Sequence, residues 1–513
     1  MKRAQSLHFN NKLINFRPVF FCALFFIAGI IAAALFFTNK IAFFIALVAI
    51  LCSGVVLYTF DQKLPFFLFL VFALGFGLFI YNTTMVEVDE ISGDTTIEGR
   101  VYEIYSGREE KKYSVLLKDV SYIGSVVGDS DRNVIVYTDI VVEVGQIVEF
   151  TGHLEAFNYD AFNSFSMSHY NSQVNYKLVT DLMAHNIIGD TPLTLHEKLF
   201  KKIKDNFSSL MDEEAADIAI SLFFGQNQTF ENVESESTIN TKLATIFSLS
   251  GIHFIVIAIG LFCFCRLIKL NRSISLLVPF VVLLIYGFIT LFPPALYRVL
   301  IAQVIMIIAN FRYKKSDPLI VWGATTIISL VIQPLAIFEI GFQIAMLSML
   351  GVVCYASFFK KLYGKSKNPV LQTTAYITST SLSSSLFAGA PTINTFGSFG
   401  VYLTLGAILI IPYIGLTYFL TMGASVIVLI LPFMSFLLKA CQFLVLGVGG
   451  ISTIISNMSF APIDSNSLSI YVAIYVLTMF LMCKYILLRP KYKIRILLSA
   501  VVLTVVLMLS MGA

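Results

Sequence analysis

The chain has 513 residues, of which 57% are hydrophobic and only 13% are charged, and its formal net charge is +4 at pH 7. Soluble globular proteins carry about 25% charged residues. This composition, with a mean hydropathy of +0.82, therefore excludes an ordinary soluble protein and predicts a mainly α, polytopic helical membrane protein.

Apolar runs recur along the whole chain, and each is a candidate membrane helix. A hydrocarbon core of roughly 30 Å needs about 20 apolar residues in one helix. Runs of this kind begin near residues 18, 41, 64, 243, 274, 294, 318, 337, 371, 399, 423, 441, 466 and 496. The first has a long core and no small-residue cleavage site, so we interpret it as a retained span. Residues 1–85 are predicted to hold three transmembrane helices.

A polar segment follows the third run. Residues 86–200 hold 8 basic and 19 acidic residues, a net charge of −11, and no run of membrane length. Four stretches alternate apolar and polar residues: TTIEGRVYEIY, KYSVLLKDV, NVIVYT and GQIVEFTGHL. Four or five short strands favour a small OB-like β-barrel over residues 86–192, although their spacing equally permits a β-sandwich. This soluble domain either binds a polyanion through a local patch around Arg100, Arg108, Lys111 and Lys112 or docks a partner protein.

Loop charge predicts the orientation of the chain. Basic residues precede the first run, namely Lys2, Arg3, Lys12 and Arg17. We therefore expect a multi-pass protein of the cell (inner or plasma) membrane with a cytoplasmic amino terminus and an extracytoplasmic β domain. Later basic clusters fall on the cytoplasmic side by the same count: Arg266 to Arg272, Arg312 to Lys315 and Lys360 to Lys367.

The candidate runs between 371 and 483 do not all fit this count. If every one of them crosses the membrane, the basic residues between 484 and 495 lie on the extracytoplasmic side, so one run is expected not to cross. Two stretches have the composition of a broken or re-entrant segment, the Ser/Thr-rich residues 373–396 and the Gly-rich residues 445–457.

Residues 193–238 connect the β domain to the later runs. From residue 195, large apolar residues recur at helical spacing opposite Lys198, Lys201, Lys202 and Lys204, which predicts an amphipathic helix at the membrane surface. The plainer interpretation is a connector that rests on lipid headgroups. The functional alternative makes the lysines part of a route that guides a polyanion to the membrane.

The run from residue 243 contains the stretch FSLSGIHFIV, which places Ser250, Gly251 and His253 within one turn. A hydroxyl, a helix-weakening glycine and an imidazole gain nothing by facing lipid. Ser250 and His253 are three residues apart and share a helix face, so we expect that face to meet a polar cavity or a partner helix. The alternative is a histidine hydrogen-bonded between packed helices.

Several stretches in order resemble one family. LATIFSLSGIHFIVIAIG resembles the Ser-Gly-Leu-His motif of the ComEC-type DNA internalisation (competence) family, whose members carry single-stranded DNA across the bacterial inner membrane. PPALYRVLIAQVIMIIA resembles its helix with a single arginine. QPLAIFEIGFQIAMLSMLGV and GAPTINTFGSFGVYLTLGAILIIP resemble two further segments of the family. The resemblance covers roughly residues 20 to 490 and implies that residues 239–513 form a competence-type channel domain.

The sequence departs from this family in one respect. Many members continue into a metallo-β-lactamase-like domain with a His-x-His-x-Asp-His cluster, which this sequence lacks. Its six histidines are not at metal-ligand spacing, so we expect no intrinsic metal hydrolase and no cofactor. A GxxxxGK[ST] sequence is also missing, so we expect a separate ATPase motor, together with a separate DNA receptor protein. Membrane lipids and a second copy of the chain complete the expected partners.

A polyanion crosses hydrocarbon only along a hydrated path, because an unpaired buried charge costs several kcal/mol. Hydroxyls, amides, helix amino termini and a few cations supply such a path. Arg298 is the strongest candidate for direct contact with phosphate. A structural ion pair with Glu339 explains this arginine equally well. Gln343 and Asn394 are weaker candidates, since interhelical hydrogen bonds explain them as well.

Two other classes of function stay open. A secondary transporter of a small solute or lipid has a similar helical core, but no inverted repeat is visible here. An intramembrane enzyme would need Ser250 and His253 as nucleophile and base, and their spacing on one helix is poor geometry for that chemistry. We therefore expect no catalytic residue.

Overall fold

The computed structural model describes a helical membrane protein with a small closed β-barrel, as the sequence predicts. The described residues are 17–37, 63–84, 92–106, 113–123, 133–156, 174–224, 251–290, 292, 294–313, 317–362, 379–380, 383–384, 387, 401–456, 478, 483, 495 and 499. Within them, six helices are long and apolar enough to cross a membrane.

The helices begin close to the predicted positions. They are α1 (Pro18–Phe37), α2 (Lys63–Thr84), α3 (Leu195–Leu210), α4 (Glu213–Phe224), α5 (Gly251–Leu267), α6 (Arg272–Ile289), α7 (Pro294–Phe311), α8 (Pro318–Ile332), α9 (Ile340–Leu362), α10 (Val401–Ile430) and α11 (Phe436–Ser456). A 3₁₀ turn (Pro334–Phe338) joins α8 to α9. Proline at the first position of α7 and α8 favours a helix start there, because its fixed φ suits the first turn and its missing N–H is not needed.

Polar contacts show which helix ends lie together. Asp317 accepts a hydrogen bond from the Leu319 N–H at 2.9 Å, which caps α8, and its other carboxylate oxygen lies 2.6 Å from Arg17 Nε at the start of α1. Asn310 Nδ2 donates to Ser273 Oγ at 3.1 Å, which joins the end of α7 to the start of α6. We call this end of the bundle the basic face, because Arg17, Arg266, Lys269, Arg272 and Arg312 lie at its helix ends.

Helices α1 and α2 pack closely at two glycines. A Cβ on Gly29 would lie 2.1 Å from the Phe72 carbonyl oxygen, and one on Gly75 would lie 2.4 Å from the Phe26 carbonyl oxygen. Small residues at these contacts let the two backbones approach, which is how helices associate in a membrane. At the end opposite the basic face, the rings of Phe79 and Phe338 are 6.2 Å apart and connect α2 to the 3₁₀ turn.

The carboxyl-terminal helices correct two predictions. The runs beginning near 399 and 423 form a single 30-residue helix, α10, rather than two spans. The Gly-rich stretch from 445 is not broken, because it continues α11 to Ser456. Its Gly447 serves close packing instead: the Tyr413 hydroxyl donates to the Leu444 carbonyl at 2.9 Å, and a Cβ on Gly447 would meet that hydroxyl. The stretch 373–396 lies outside the described residues apart from a few positions.

Joining those two runs removes one span from the loop-charge count. If the runs beginning near 371 and 466, which lie largely outside the described residues, both cross, the count places the basic residues between 484 and 495 with the earlier basic clusters. Cys483, which directly precedes Lys484, agrees with this, since it is buried in one cluster with Phe20 and Leu319 at the basic face.

The inserted domain is a barrel of five strands. They are β1 (Ser92–Ser106), β2 (Tyr113–Ile123), β3 (Asn133–Thr138), β4 (Gln146–Ala156) and β5 (Val174–Asp190). The barrel closes in the order β1-β2-β3-β5-β4, with β3 and β5 parallel and the other pairs antiparallel. Alternate residues such as Ile97, Val101 and Val148 fill its interior. The number of strands and the closure agree with an OB-like barrel.

A buried ion pair connects the barrel to α3. Arg100 on β1 donates through Nη2 to both Glu197 carboxylate oxygens, at 2.9 and 2.7 Å, and through Nε to Thr191 Oγ1 at 2.7 Å. Glu197, which is 5% exposed, also accepts from the Thr194 N–H at 2.7 Å. Burial alone raises the pKa of the Glu197 carboxyl, but the hydrogen bonds from Thr194 and Arg100 and the arginine charge outweigh it and lower that pKa.

Helix α3 is amphipathic, as predicted, but protein covers its apolar side. Ile203 and Phe207 are buried in one cluster with residues of α4, α6, α10 and α11. Lys198, Lys201 and Lys202 are exposed. The apolar side of α3 therefore packs on the bundle, and the position of this helix at the membrane surface stays a prediction.

Adding a methyl group at the α1–α2 contact should destabilise the protein. We expect Gly29→Ala to lower the free energy of unfolding by about 1–3 kcal/mol, because the new Cβ overlaps a backbone oxygen. Thermal unfolding in detergent measures the change. Gly77→Ala is the matched control, since no atom lies within 4 Å of its Cβ position. Equal stability of the two variants would contradict this packing.

The Glu197 contact should make the barrel–α3 junction sensitive to acid. The folded-state pKa lies below that of an unfolded glutamate, about 4.3, so the contribution to stability is present above that value and is lost as pH falls through the folded-state pKa. We expect Glu197→Gln to lower stability by about 1–3 kcal/mol at neutral pH and to flatten the acid dependence of the melting temperature. Glu155→Gln, at an exposed ion pair, is the control. An unchanged acid profile in Glu197→Gln would refute this assignment.

Candidate functional site

Arg298 lies in the second turn of α7 and is only 6% exposed. Its Nη1 is 3.4 Å from the Gly341 carbonyl oxygen, to which it donates a weak hydrogen bond. Its guanidinium carbon lies 5.0 Å from the centre of the Phe342 ring, within the range of a cation–π contact. The start of α9 therefore contacts this buried cation.

Three more polar groups surround the arginine. The Tyr297 hydroxyl donates to Gln333 Oε1 at 2.8 Å, which ties the start of α7 to the end of α8. The negative charge of Glu339 acts on both Tyr297 and Arg298. The Glu339 main-chain carbonyl accepts from the N–H groups of residues 342 and 343 at 3.1 Å and so begins α9. We call Tyr297, Arg298, Gln333, Glu339, Gly341 and Phe342 the Arg298 site.

The Arg298 site is favourable for an anion. Helices α7 and α9 both begin here, and helix amino termini carry partial positive charge. Gly341 is exposed, and no heavy atom lies within 4 Å of the position of a Cβ on it. The buried guanidinium is thus bonded to the carbonyl of a residue that borders open space.

Gln343 lies next to this site but contacts the turn before it. Its Nε2 donates to the Ile337 carbonyl at 3.0 Å, so it braces the 3₁₀ turn that leads to Glu339. This is a hydrogen bond to the main chain within one segment, rather than the interhelical bond considered from the sequence. A direct role for Gln343 in a DNA path stays a prediction.

The structure does not describe the side chains of the other predicted site residues. Ser250 and Asn394 lie outside the described residues. Gly251 and His253 are in the first turn of α5, where the structure describes only the backbone. The shared face of Ser250 and His253 therefore stays a prediction. The next residue, Phe254, is fully buried, with its ring 5.8 Å from that of Tyr286.

Two buried tyrosines were not identified from the sequence. The Tyr418 hydroxyl donates to the Tyr286 hydroxyl at 2.9 Å, and the Tyr286 hydroxyl donates to the Phe223 carbonyl. This relay joins α10, α6 and α4, and it positions the connector helices on the bundle. No local signal distinguishes these two residues among the 23 tyrosines of the chain. Within the described ranges, His, Cys, Asp and Glu side chains nowhere form a group of three that would hold a metal ion.

A family model described as "Competence protein" matches residues 222–490, which is more than half of the chain. The chain belongs to the competence protein family. This confirms the resemblance seen in the sequence motifs, and the match includes the whole Arg298 site but not the barrel. The family is of the transport type, and it gives this membrane protein a role in DNA uptake during competence, with DNA as its substrate. No curated protein and no solved structure matches the chain.

A double-mutant cycle should detect the interaction of the two charges in this site. We expect Arg298→Gln and Glu339→Gln to be non-additive in the free energy of unfolding, with a coupling energy of about 0.5–3 kcal/mol, because neighbouring charges in a low-dielectric bundle interact. Unfolding in a mixed-detergent series measures the four forms. Arg266→Gln with Glu339→Gln, at opposite ends of the bundle, should be additive. Additivity in both cycles would contradict the description of the site.

Proposed function

We propose that this protein forms the inner-membrane channel through which single-stranded transforming DNA reaches the cytoplasm in natural competence. The observation that carries the proposal is the buried Arg298 guanidinium at the meeting point of two helix amino termini. A charged side chain within membrane helices is expensive and is retained where it serves a substrate or ion path. For a protein of DNA uptake, the matching ligand is a phosphodiester.

Glu339 gives this site a way to close and open. Without DNA, the negative charge of Glu339 favours the guanidinium charge. A phosphodiester carries the same charge and accepts charge-assisted hydrogen bonds from a guanidinium, so it can compete with the carboxylate for Arg298. Each passing phosphate then exchanges with Glu339, which keeps binding weak enough for release. The exposed backbone at Gly341 gives the strand room to approach.

The proposed orientation places the Arg298 site near the extracytoplasmic end of the bundle. Basic residues Arg17, Arg266, Arg272 and Arg312 lie at one end, which the positive-inside rule assigns to the cytoplasm. Arg298 lies near the start of α7, whose other end is at that basic face. The barrel follows the end of α2, on the side opposite the basic face, so it is extracytoplasmic. A strand that arrives from outside therefore meets Arg298 early in its path.

The force for transport comes from elsewhere in this proposal. The sequence has no GxxxxGK[ST] phosphate-binding loop, so a separate ATPase motor pulls the strand from the cytoplasm and a DNA receptor delivers it. The protein acts as a passage and not as an enzyme.

Loss of the Arg298 charge should reduce transport without removing the protein from the membrane. We expect Arg298→Ala to reduce arrival of labelled DNA in the cytoplasm about tenfold or more, since a charge-assisted hydrogen bond contributes about 1.5–3 kcal/mol. DNA binding at the cell surface should be unchanged. Uptake of DNA into spheroplasts, normalised to protein abundance, measures the effect.

Two further variants make the result specific. Arg298→Lys keeps the charge and should retain part of the transport. Arg266→Ala removes an arginine whose Nη1 bonds the Leu270 carbonyl at the basic face, and it should leave uptake unchanged. Normal uptake in Arg298→Ala, or a loss explained wholly by reduced abundance, would overturn the proposed role. Normal transformation in a deletion strain would overturn the function itself.

A further inference from the structure

The exposed side of α3 carries three lysines, Lys198, Lys201 and Lys202, which we call the lysine ridge. We infer that the lysine ridge binds the phosphate backbone of single-stranded DNA outside the membrane, before the strand reaches the Arg298 site. This inference rests on the proposed function and adds a second DNA contact to it.

Helix α3 is held rigidly on the bundle. Its Phe200 and Phe207 rings lie 4.1 Å from the ring of Phe224 and 5.9 Å from that of Phe223, both on α4. The Arg100–Glu197 ion pair fixes its first turn to the barrel. Because both the apolar side and the amino terminus are held, the backbone of α3 is fixed and the three lysines lie on its exposed side. A helix that is already folded and docked does not lose backbone entropy when it binds a flexible polyanion.

The lysine ridge contains a repulsive pair that folding does not need. Lys198 and Lys202 are four residues apart on one face, and like charges at this spacing destabilise a helix by about 0.2–0.5 kcal/mol. Lys201 has a carboxylate partner, Glu143, at 3.2 Å, and both side chains are more than half exposed. In the part of the chain that the structure describes, no carboxylate ion pair is assigned to Lys198 or Lys202. An anionic ligand would relieve this repulsion.

The lysine ridge lies at the same end of the bundle as the Arg298 site. One buried cluster contains Ile203 and Phe207 of α3 together with Tyr286 near the end of α6 and Leu296 at the start of α7. Leu296 is two residues before Arg298. The surrounding extracytoplasmic segment has a net charge of −11 over residues 86–200, which repels DNA over most of the surface. The lysine ridge is a local exception close to the path.

The packing of α3 favours a nucleic acid over lipid as its ligand. A helix that lies in the membrane interface buries its own apolar side among the acyl chains. In α3, that side is covered by protein, with Ile203 and Phe207 fully buried. Of the large apolar side chains of α3, only Leu195 in the first turn is mostly exposed, so the lysines lie beside little apolar surface that could enter the bilayer.

Salt dependence of DNA binding tests the lysine ridge. The full chain is placed in nanodiscs of zwitterionic lipid, and binding of a fluorescein-labelled oligothymidylate is measured by anisotropy across a salt series. Each phosphate contact contributes about 0.7 to the slope of log K against log salt for a single strand. We expect Lys198→Gln with Lys202→Gln to reduce the slope by about 1.4 and affinity several-fold.

Matched variants and outcomes separate the explanations. Lys198→Arg with Lys202→Arg keeps both charges and should retain the slope, whereas Lys177→Gln, at a barrel ion pair with Glu155, should leave it unchanged. An unchanged slope in the Lys198→Gln, Lys202→Gln protein would overturn the lysine ridge alone. The lysine ridge would also be overturned if the double variant kept its DNA affinity but bound anionic lipid less well than the unaltered chain does. That result would indicate a lipid contact. No DNA binding by the unaltered chain would overturn both proposals.

Discussion

The central constraint on this structure is the positive charge of Arg298, which is buried within the helical bundle. A guanidinium in low dielectric is tolerated only where other groups supply the hydrogen bonds and charge that water would give. Here they come from the Gly341 carbonyl, the face of Phe342 and the charge of Glu339. The 3₁₀ turn between α8 and α9 brings these groups to the arginine. The local fold at this turn therefore supplies the contacts that replace water around the guanidinium.

The rest of the bundle holds this arrangement in place. Glycine contacts join α1 to α2, the ring of Phe79 in α2 lies against that of Phe338 in the 3₁₀ turn, and the Tyr297–Gln333 hydrogen bond ties α7 to α8. On the other side, the tyrosine relay fixes the connector helices, which in turn hold the barrel through Arg100 and Glu197. The soluble barrel and the intramembrane arginine are thus parts of one continuous set of contacts.

Features encoded by neighbouring residues were predictable from the sequence. Helix starts at Pro294 and Pro318, the alternation of the barrel strands and the cost of a charge at Arg298 all depend on local patterns. The joining of two runs into α10 was missed, because residues 401–430 are apolar throughout and composition alone does not show where one helix ends and the next begins. Tyr297, Gln333 and Phe342 were also missed as site residues. Their partners lie 36 and more residues away, and only the packing of α7, α8 and α9 brings them together.

The most direct test of the account is whether water and anions reach the start of α9. In a cysteine-free background, Gly341→Cys is treated from outside with a membrane-impermeant thiol reagent, and Gly77→Cys, at an exposed position of α2, is the control. The account predicts that Cys at position 341 reacts, that single-stranded DNA protects it, and that Cys at position 77 stays unreactive. The account would be contradicted if Cys at position 341 were as unreactive as Cys at position 77. It would also be contradicted if Cys at position 341 reacted at the same rate with and without DNA.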